Sequence, residues 1–204
     1  MENVLNSVAR ISSDKNNLIQ ALILGILAFL VPTFLSGMIV GIFGETSVIS
    51  NNSQFIVGSI VNILLITAAI NVKGFKNIIG IVTMPSISTI LSGYVFGTAS
   101  TFMVYMIPAI WIGNFLLIYA YKFFMINKNM NVFLAGVIGI ILKVATIFGF
   151  FELISLFGIF PAKVASVLQV AMGFNQLVTA SIAVVLVGTL EMIINRKKSV
   201  ESKI

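Results

Sequence analysis

The stretch Val132–Phe157, VFLAGVIGIILKVATIFGFFELISLF, decides how this chain folds. It is apolar for longer than the ~20 residues that carry a helix across the hydrocarbon of a bilayer. It also holds a lysine, Lys143, near its middle. A charge at that depth costs at least ~2.5–3.5 kcal/mol on an insertion scale, so it persists where a partner or a ligand offsets it. The stretch therefore predicts a membrane-spanning helix, and Lys143 is a functional-site candidate within it.

Outward from this stretch the rest of the sequence has the same character. Of 204 residues, 59% are hydrophobic and only 9% are charged, and the mean hydropathy is +1.12. A soluble core of this size cannot hide so much apolar surface. Apolar runs at about 18–43, 55–72, 77–96, 101–121, 132–157 and 163–194 predict six transmembrane helices. The expected architecture is an all-α integral membrane protein: an N-terminal segment 1–17, a six-helix transmembrane domain 18–194 and a basic tail 195–204. The first apolar run is too long for a signal-peptide core and is expected to stay as a span.

Six spans put both ends on one side, and the basic residues choose which. Arg10 and Lys15 precede the first span, Lys73 and Lys76 join the second to the third, and Lys122 and Lys128 join the fourth to the fifth. Arg196, Lys197, Lys198 and Lys203 form the tail, while the opposite connections carry only Lys163. The positive-inside bias makes both termini cytoplasmic, and it accounts for the net charge of +6 without a nucleic acid or an acidic partner.

Several chemistries are poorly supported. Without histidine or cysteine the chain lacks the usual ligands for zinc, copper, nickel or iron, so no metal or cofactor is expected. The acids in or near the spans, Glu45, Glu152 and Glu191, have no spacing suited to joint acid/base work, which argues against an enzyme. No G-x-x-x-x-G-K-[ST] sequence is present, so any ATP drive comes from a partner. The two three-span halves show no internal repeat, which weakens an inverted-repeat carrier. A pore would need rings of charge or carbonyls from an oligomer.

The first external connection is the longest on its face. Pro32 is expected to break the first helix, and Gly37, Gly41 and Gly44 lead into the polar stretch Glu45 to Gln54, read as a lid or as a plain connector. Helical phase then collects the intramembrane polar groups. Ile107, Trp111, Asn114, Ile118 and Tyr121 share a face of the fourth span. Gly136, Gly139, Lys143, Thr146 and Phe150 share one on the fifth, and Gln169, Gly173, Gln176 and Ala180 one on the sixth. Counting from the outer ends at 1.5 Å per residue, Asn114, Lys143 and Gln176 lie ~20 Å deep, and Asn62, Glu152 and Gln169 ~8–10 Å deep. The expectation is a two-layered polar pocket opening outward. Glu152 is half a turn out of phase with Lys143 and should not pair with it within the helix. Lys143 is left to backbone carbonyls, to Asn114 or Gln176, or to an anionic group on a solute; alternatively it is a structural tie between helices.

The runs Gly58-Ser59-Ile60-Val61-Asn62, Met84-Pro85-Ser86, Met106-Ile107-Pro108-Ala109-Ile110-Trp111-Ile112-Gly113-Asn114 and Asn175-Gln176-Leu177-Val178-Thr179-Ala180, with six spans and a long first external loop, carry a resemblance. Over residues 18 to 194 the chain resembles the S components of energy-coupling factor transporters, the membrane-embedded substrate-binding subunits of these vitamin importers, in a clostridial-type branch of unassigned substrate. The resemblance implies a multi-pass protein of a bacterial plasma membrane that captures a small solute, a vitamin or related micronutrient, from outside. It implies two ATPase subunits and a transmembrane coupling protein as partners. The small-xxx-small docking position on the first helix falls on Ala21 and Gly25, with Gly in place of the family's usual Ala. The implied substrate site is Asn62, Trp111, Asn114, Lys143, Glu152, Gln169 and Gln176. The competing expectation is a self-sufficient small carrier or channel.

Overall fold

The structure is a computed structural model that describes residues 15–201. Arg10, Asp14 and Lys203 lie outside the described residues, and the side chains of the basic tail from Arg196 onward lie outside them too. Six helical spans follow one another: Lys15–Phe43, Ser53–Asn71, Phe75–Ser92, Ala99–Asn127, Val132–Leu156 and Ala162–Ile194. No strand occurs among the described residues. Large apolar side chains such as Leu22, Ile42, Leu153 and Ile193 stand exposed around the bundle, the surface that lipid covers in an integral membrane protein.

The first span packs against the third, the second against the sixth, and the fourth against the fifth. Close approach rests on small residues. At Gly139 on the fifth span, an added Cβ would lie 2.8 Å from Leu117 Cδ1 and 3.3 Å from Ala120 Cβ. Small contact residues of this kind let two helix backbones meet in lipid, where dispersion replaces the hydrophobic effect as the adhesive.

Three of the spans are interrupted, each where backbone chemistry calls for it. In the first, Pro32 lies in a π-helical segment, Val31–Leu35, because its ring removes a donor and crowds the preceding turn. The disturbance is bridged by the third span: Ser88 Oγ donates to the Phe29 carbonyl and shares a 2.6 Å hydrogen bond with Thr33 Oγ1. The sixth span breaks at Gly173, between Ala162–Met172 and a second helix, Phe174–Glu201. The fourth begins as a 3₁₀ helix, Gly97–Met106, and ends in a π segment, Tyr121–Asn127.

That π segment corrects the reading of Lys122 as a connecting-loop charge. The helix continues past Tyr121, so Lys122 folds back into the bundle, 7% exposed. Its Nζ donates to the carbonyls of Ala69 at 2.9 Å and Val72 at 2.6 Å. These are terminal carbonyls of the second span, where a cation is favoured by the helix dipole and by otherwise unpaired acceptors. Beside it, Asn17 Nδ2 donates to the Lys73 carbonyl at 2.9 Å, and the Lys73 amide returns a 2.6 Å bond to Asn17 Oδ1. This end of the bundle is thus tied shut by polar contacts. At the other end, the connection after the first span contains a short helix, Val48–Asn51, whose N-cap Ser47 accepts from the Ser50 amide.

Candidate functional site

Lys143 is 2% exposed, and its Nζ donates to Asn62 Oδ1 on the second span at 2.5 Å. The amide's orientation is set by the sixth span. Thr179 Oγ1 donates to the Asn175 carbonyl at 2.8 Å, which leaves the hydroxyl oxygen to accept Asn62 Nδ2 at 3.1 Å and turns Asn62 Oδ1 toward the lysine. Gly58, one turn before Asn62, makes the approach possible: a Cβ there would lie 3.0 Å from Thr179 Cγ2. The two-layer depth estimate is therefore corrected for Asn62, which lies at the level of Lys143. Three spans meet in this chain of hydrogen bonds.

A second polar cluster grows from Pro85 inside the third span. The ring cannot donate to the carbonyl four residues back, so the helix ladder is interrupted here, and the fourth span packs against it through polar contacts. Asn114 Nδ2 donates to the Val82 carbonyl at 3.2 Å, and Trp111 Nε1 donates to Ser86 Oγ at 2.7 Å. Both side chains come from the expected face of the fourth span and tie it to the third.

Between the two clusters lies a cavity of about 70 Å³, lined by Asn62, Ser86, Asn114, Lys143 and Gln176. Its size suits a few waters or one end group of a solute, and it is well below the ~300 Å³ at which whole-ligand pockets begin. Toward the end formed by the first, third and fifth connections it gives way to a cleft of about 1030 Å³, bordered by Glu45, Asn51, Tyr94, Ser166, Phe174 and Asn175. Gln54, Val95 and Phe96 line both spaces. Gln54 owes its place to the break at Gly173: its Nε2 donates to the Ala171 carbonyl at 3.2 Å, and its Oε1 accepts Asn175 Nδ2 at 2.6 Å. Asn175 Oδ1 is a buried acceptor without a protein partner, on the cleft wall.

Of the residues singled out by sequence, Asn62, Asn114, Lys143 and Gln176 line the inner cavity, and Trp111 braces its wall through Ser86. Glu152 and Gln169 are exposed and line neither space. On the fifth span the inward stripe runs through Lys143, Ile147 and Phe151, so Thr146 is only half-buried, Phe150 is exposed, and Glu152 turns outward with that side. On the sixth, the break at Gly173 resets the phase, and a face counted across it misplaces Gln169. Gln54, Ser86, Asn175 and Thr179 are the polar residues the helical count passed over; the last three stand within the sequence runs quoted above.

The docking position divides as well. Ala21 is 7% exposed and belongs to the core, whereas a Cβ added at Gly25 would meet nothing within 4 Å. Compared with protein-family models, with curated proteins and with solved structures, the chain matches none of them.

Proposed function

We propose that this chain is the solute-binding membrane subunit of an ATP-driven importer of the energy-coupling factor type, in a bacterial cell membrane. It takes up a small organic solute of vitamin size from outside. The observation that carries the reading is a wide cleft that adjoins a lysine-bearing cavity, the two spaces sharing Gln54, Val95 and Phe96 in their walls. The cleft's volume is at the upper end of the ~300–1,000 Å³ that enclose small ligands. Among the described residues its end of the bundle carries Lys163 alone among lysines, while Lys73, Lys76 and Lys128 belong to the tied end. By the positive-inside bias the cleft then faces outward and the closed end faces the cytoplasm.

In this role Tyr94, Phe96 and Phe174 offer flat apolar surface, and Lys143 with Asn114 and Gln176 meets the deepest part. The energy comes from two ATPase subunits acting through a membrane coupling protein. Gly25, facing open space among exposed Leu22 and Ile26, is where a partner helix can approach closely. The reading is tested by incubating the detergent-solubilised protein with a whole-cell metabolite extract, washing, and identifying retained molecules by mass spectrometry. One solute should be retained near stoichiometry and lost from Lys143→Gln. Retention of nothing, or of the same molecules by wild type and variant, would count against a solute site here.

A further inference from the structure

We infer that the inner cavity is a carboxylate site: it receives a single carboxylate of the transported solute on Lys143 Nζ, while the body of the molecule occupies the outer cleft. The proposal rests on the solute-binding reading and adds the chemistry of the solute's inner end. Lys143 is fully enclosed, yet its recorded partner is a neutral amide oxygen, Asn62 Oδ1. Among the described residues no Asp or Glu lines the cavity. A buried ammonium has three donors and a full charge, and one amide neither balances the charge nor fills the donors. The cavity beside it is the place from which an opposite charge can do both.

Charge and size choose the anion. In a low-dielectric site one lysine balances one negative charge, and a doubly charged phosphate would leave an excess whose desolvation is unpaired. A carboxylate has one charge on two oxygens. Lys143 takes the first, and the half-buried Gln176, which lines the same cavity, carries an amide that can donate to the second. The about 70 Å³ available holds such an end group and excludes the rest of a vitamin-sized molecule, which is the reason for assigning the body to the cleft beyond Phe96.

Trp111 provides the readout. It is the chain's single tryptophan, and its indole N–H sits on Ser86 Oγ in the cavity wall. Purified protein in detergent, at fixed sodium chloride, is titrated with formate, acetate and benzoate, with the matched amides, and with inorganic phosphate, following Trp111 emission. At least one acid should give a saturable change that its amide and phosphate do not. Lys143→Gln should weaken it about tenfold or more, as expected for losing a charge-assisted hydrogen bond. If that variant does not fold, Gln176→Leu takes its place and should weaken the same response several-fold. Silence from all three acids, equal responses to acid and amide, or an unchanged response in the variant overturns the proposal. The importer reading fails separately: an acid-specific response without co-purifying ATPases keeps the carboxylate site and removes the importer, whereas ATPases without the response do the reverse.

Discussion

Replacing Asn62 by leucine tests the bond on which the interior of this bundle turns. The substitution removes the acceptor held 2.5 Å from Lys143 Nζ and the donor that meets Thr179 Oγ1 at 3.1 Å. Interhelical hydrogen bonds in membranes average ~0.6 kcal/mol with a maximum near ~1.7, and a bond to a charged group is worth ~1.5–3 kcal/mol. The Lys143–Asn62 bond belongs at the upper end of the first range, about 1.5 kcal/mol, since it is both enclosed and charge-assisted. Lys143→Met leaves only a neutral acceptor without its donor, while Asn62→Leu leaves an ammonium without its acceptor, so Asn62→Leu should be the more destabilising change. With both substitutions together neither group is stranded, and the double variant should be more stable than the sum of the single losses by about 1–2 kcal/mol. Reversible unfolding in mixed micelles, over a series of denaturing-detergent fractions, measures all four proteins. Additive losses within ~0.3–0.5 kcal/mol would mean that the two groups do not interact. An Asn62→Leu variant as stable as wild type would refute the reasoning outright.

Other positions follow from the same contacts. Lys122→Met removes two bonds to the terminal carbonyls of the second span and should cost about 1–3 kcal/mol in the same unfolding assay. Being at the tied end, it should leave the Trp111 response to acids unchanged. Gly58→Val places a Cβ 3.0 Å from Thr179 Cγ2 with further bulk behind it. It should lower stability by about 1–3 kcal/mol through overpacking and weaken solute retention by displacing Thr179 from Asn62. Ala21→Leu overpacks a core position and should lower stability by a similar ~1–3 kcal/mol, whereas Gly25→Leu should alter it by no more than about 0.5 kcal/mol. Recovery of partner subunits with the tagged protein should fall for Gly25→Leu.

The spans were legible because length and hydropathy are collective signals. The boundaries drawn from apolar runs differ from the helices by a few residues, except where the fourth span continues through the π segment to Asn127. That Lys143, Asn62, Asn114 and Gln176 come together around one interior cavity was legible for a physical reason: polar groups inside hydrocarbon must converge on one another. What failed was extrapolation across irregular backbone. A constant 100° per residue carried Gln169 through Gly173, where the helix restarts, and rotated the inward stripe of the fifth span onto Phe150 when packing selects Ile147 and Phe151. Lys122 was hidden in the same way, by a helix that continues past its expected end as a wider π turn and carries the side chain into the bundle. Gln54 could not be read at all, since its role depends on a carbonyl in a distant span, Ala171, near the helix break.

The division of labour proposed here, with this chain holding solute and other subunits supplying energy, is tested most directly by what accompanies the protein out of its own membrane. Tagged protein is extracted in mild detergent and the co-purifying chains are identified by mass spectrometry. Two ATPase subunits and a membrane coupling protein, recovered with wild type and depleted with Gly25→Leu, are the predicted result. Recovery of this chain alone in several detergents, together with ATP-independent solute uptake in vesicles containing nothing else, would contradict it and identify a self-sufficient carrier.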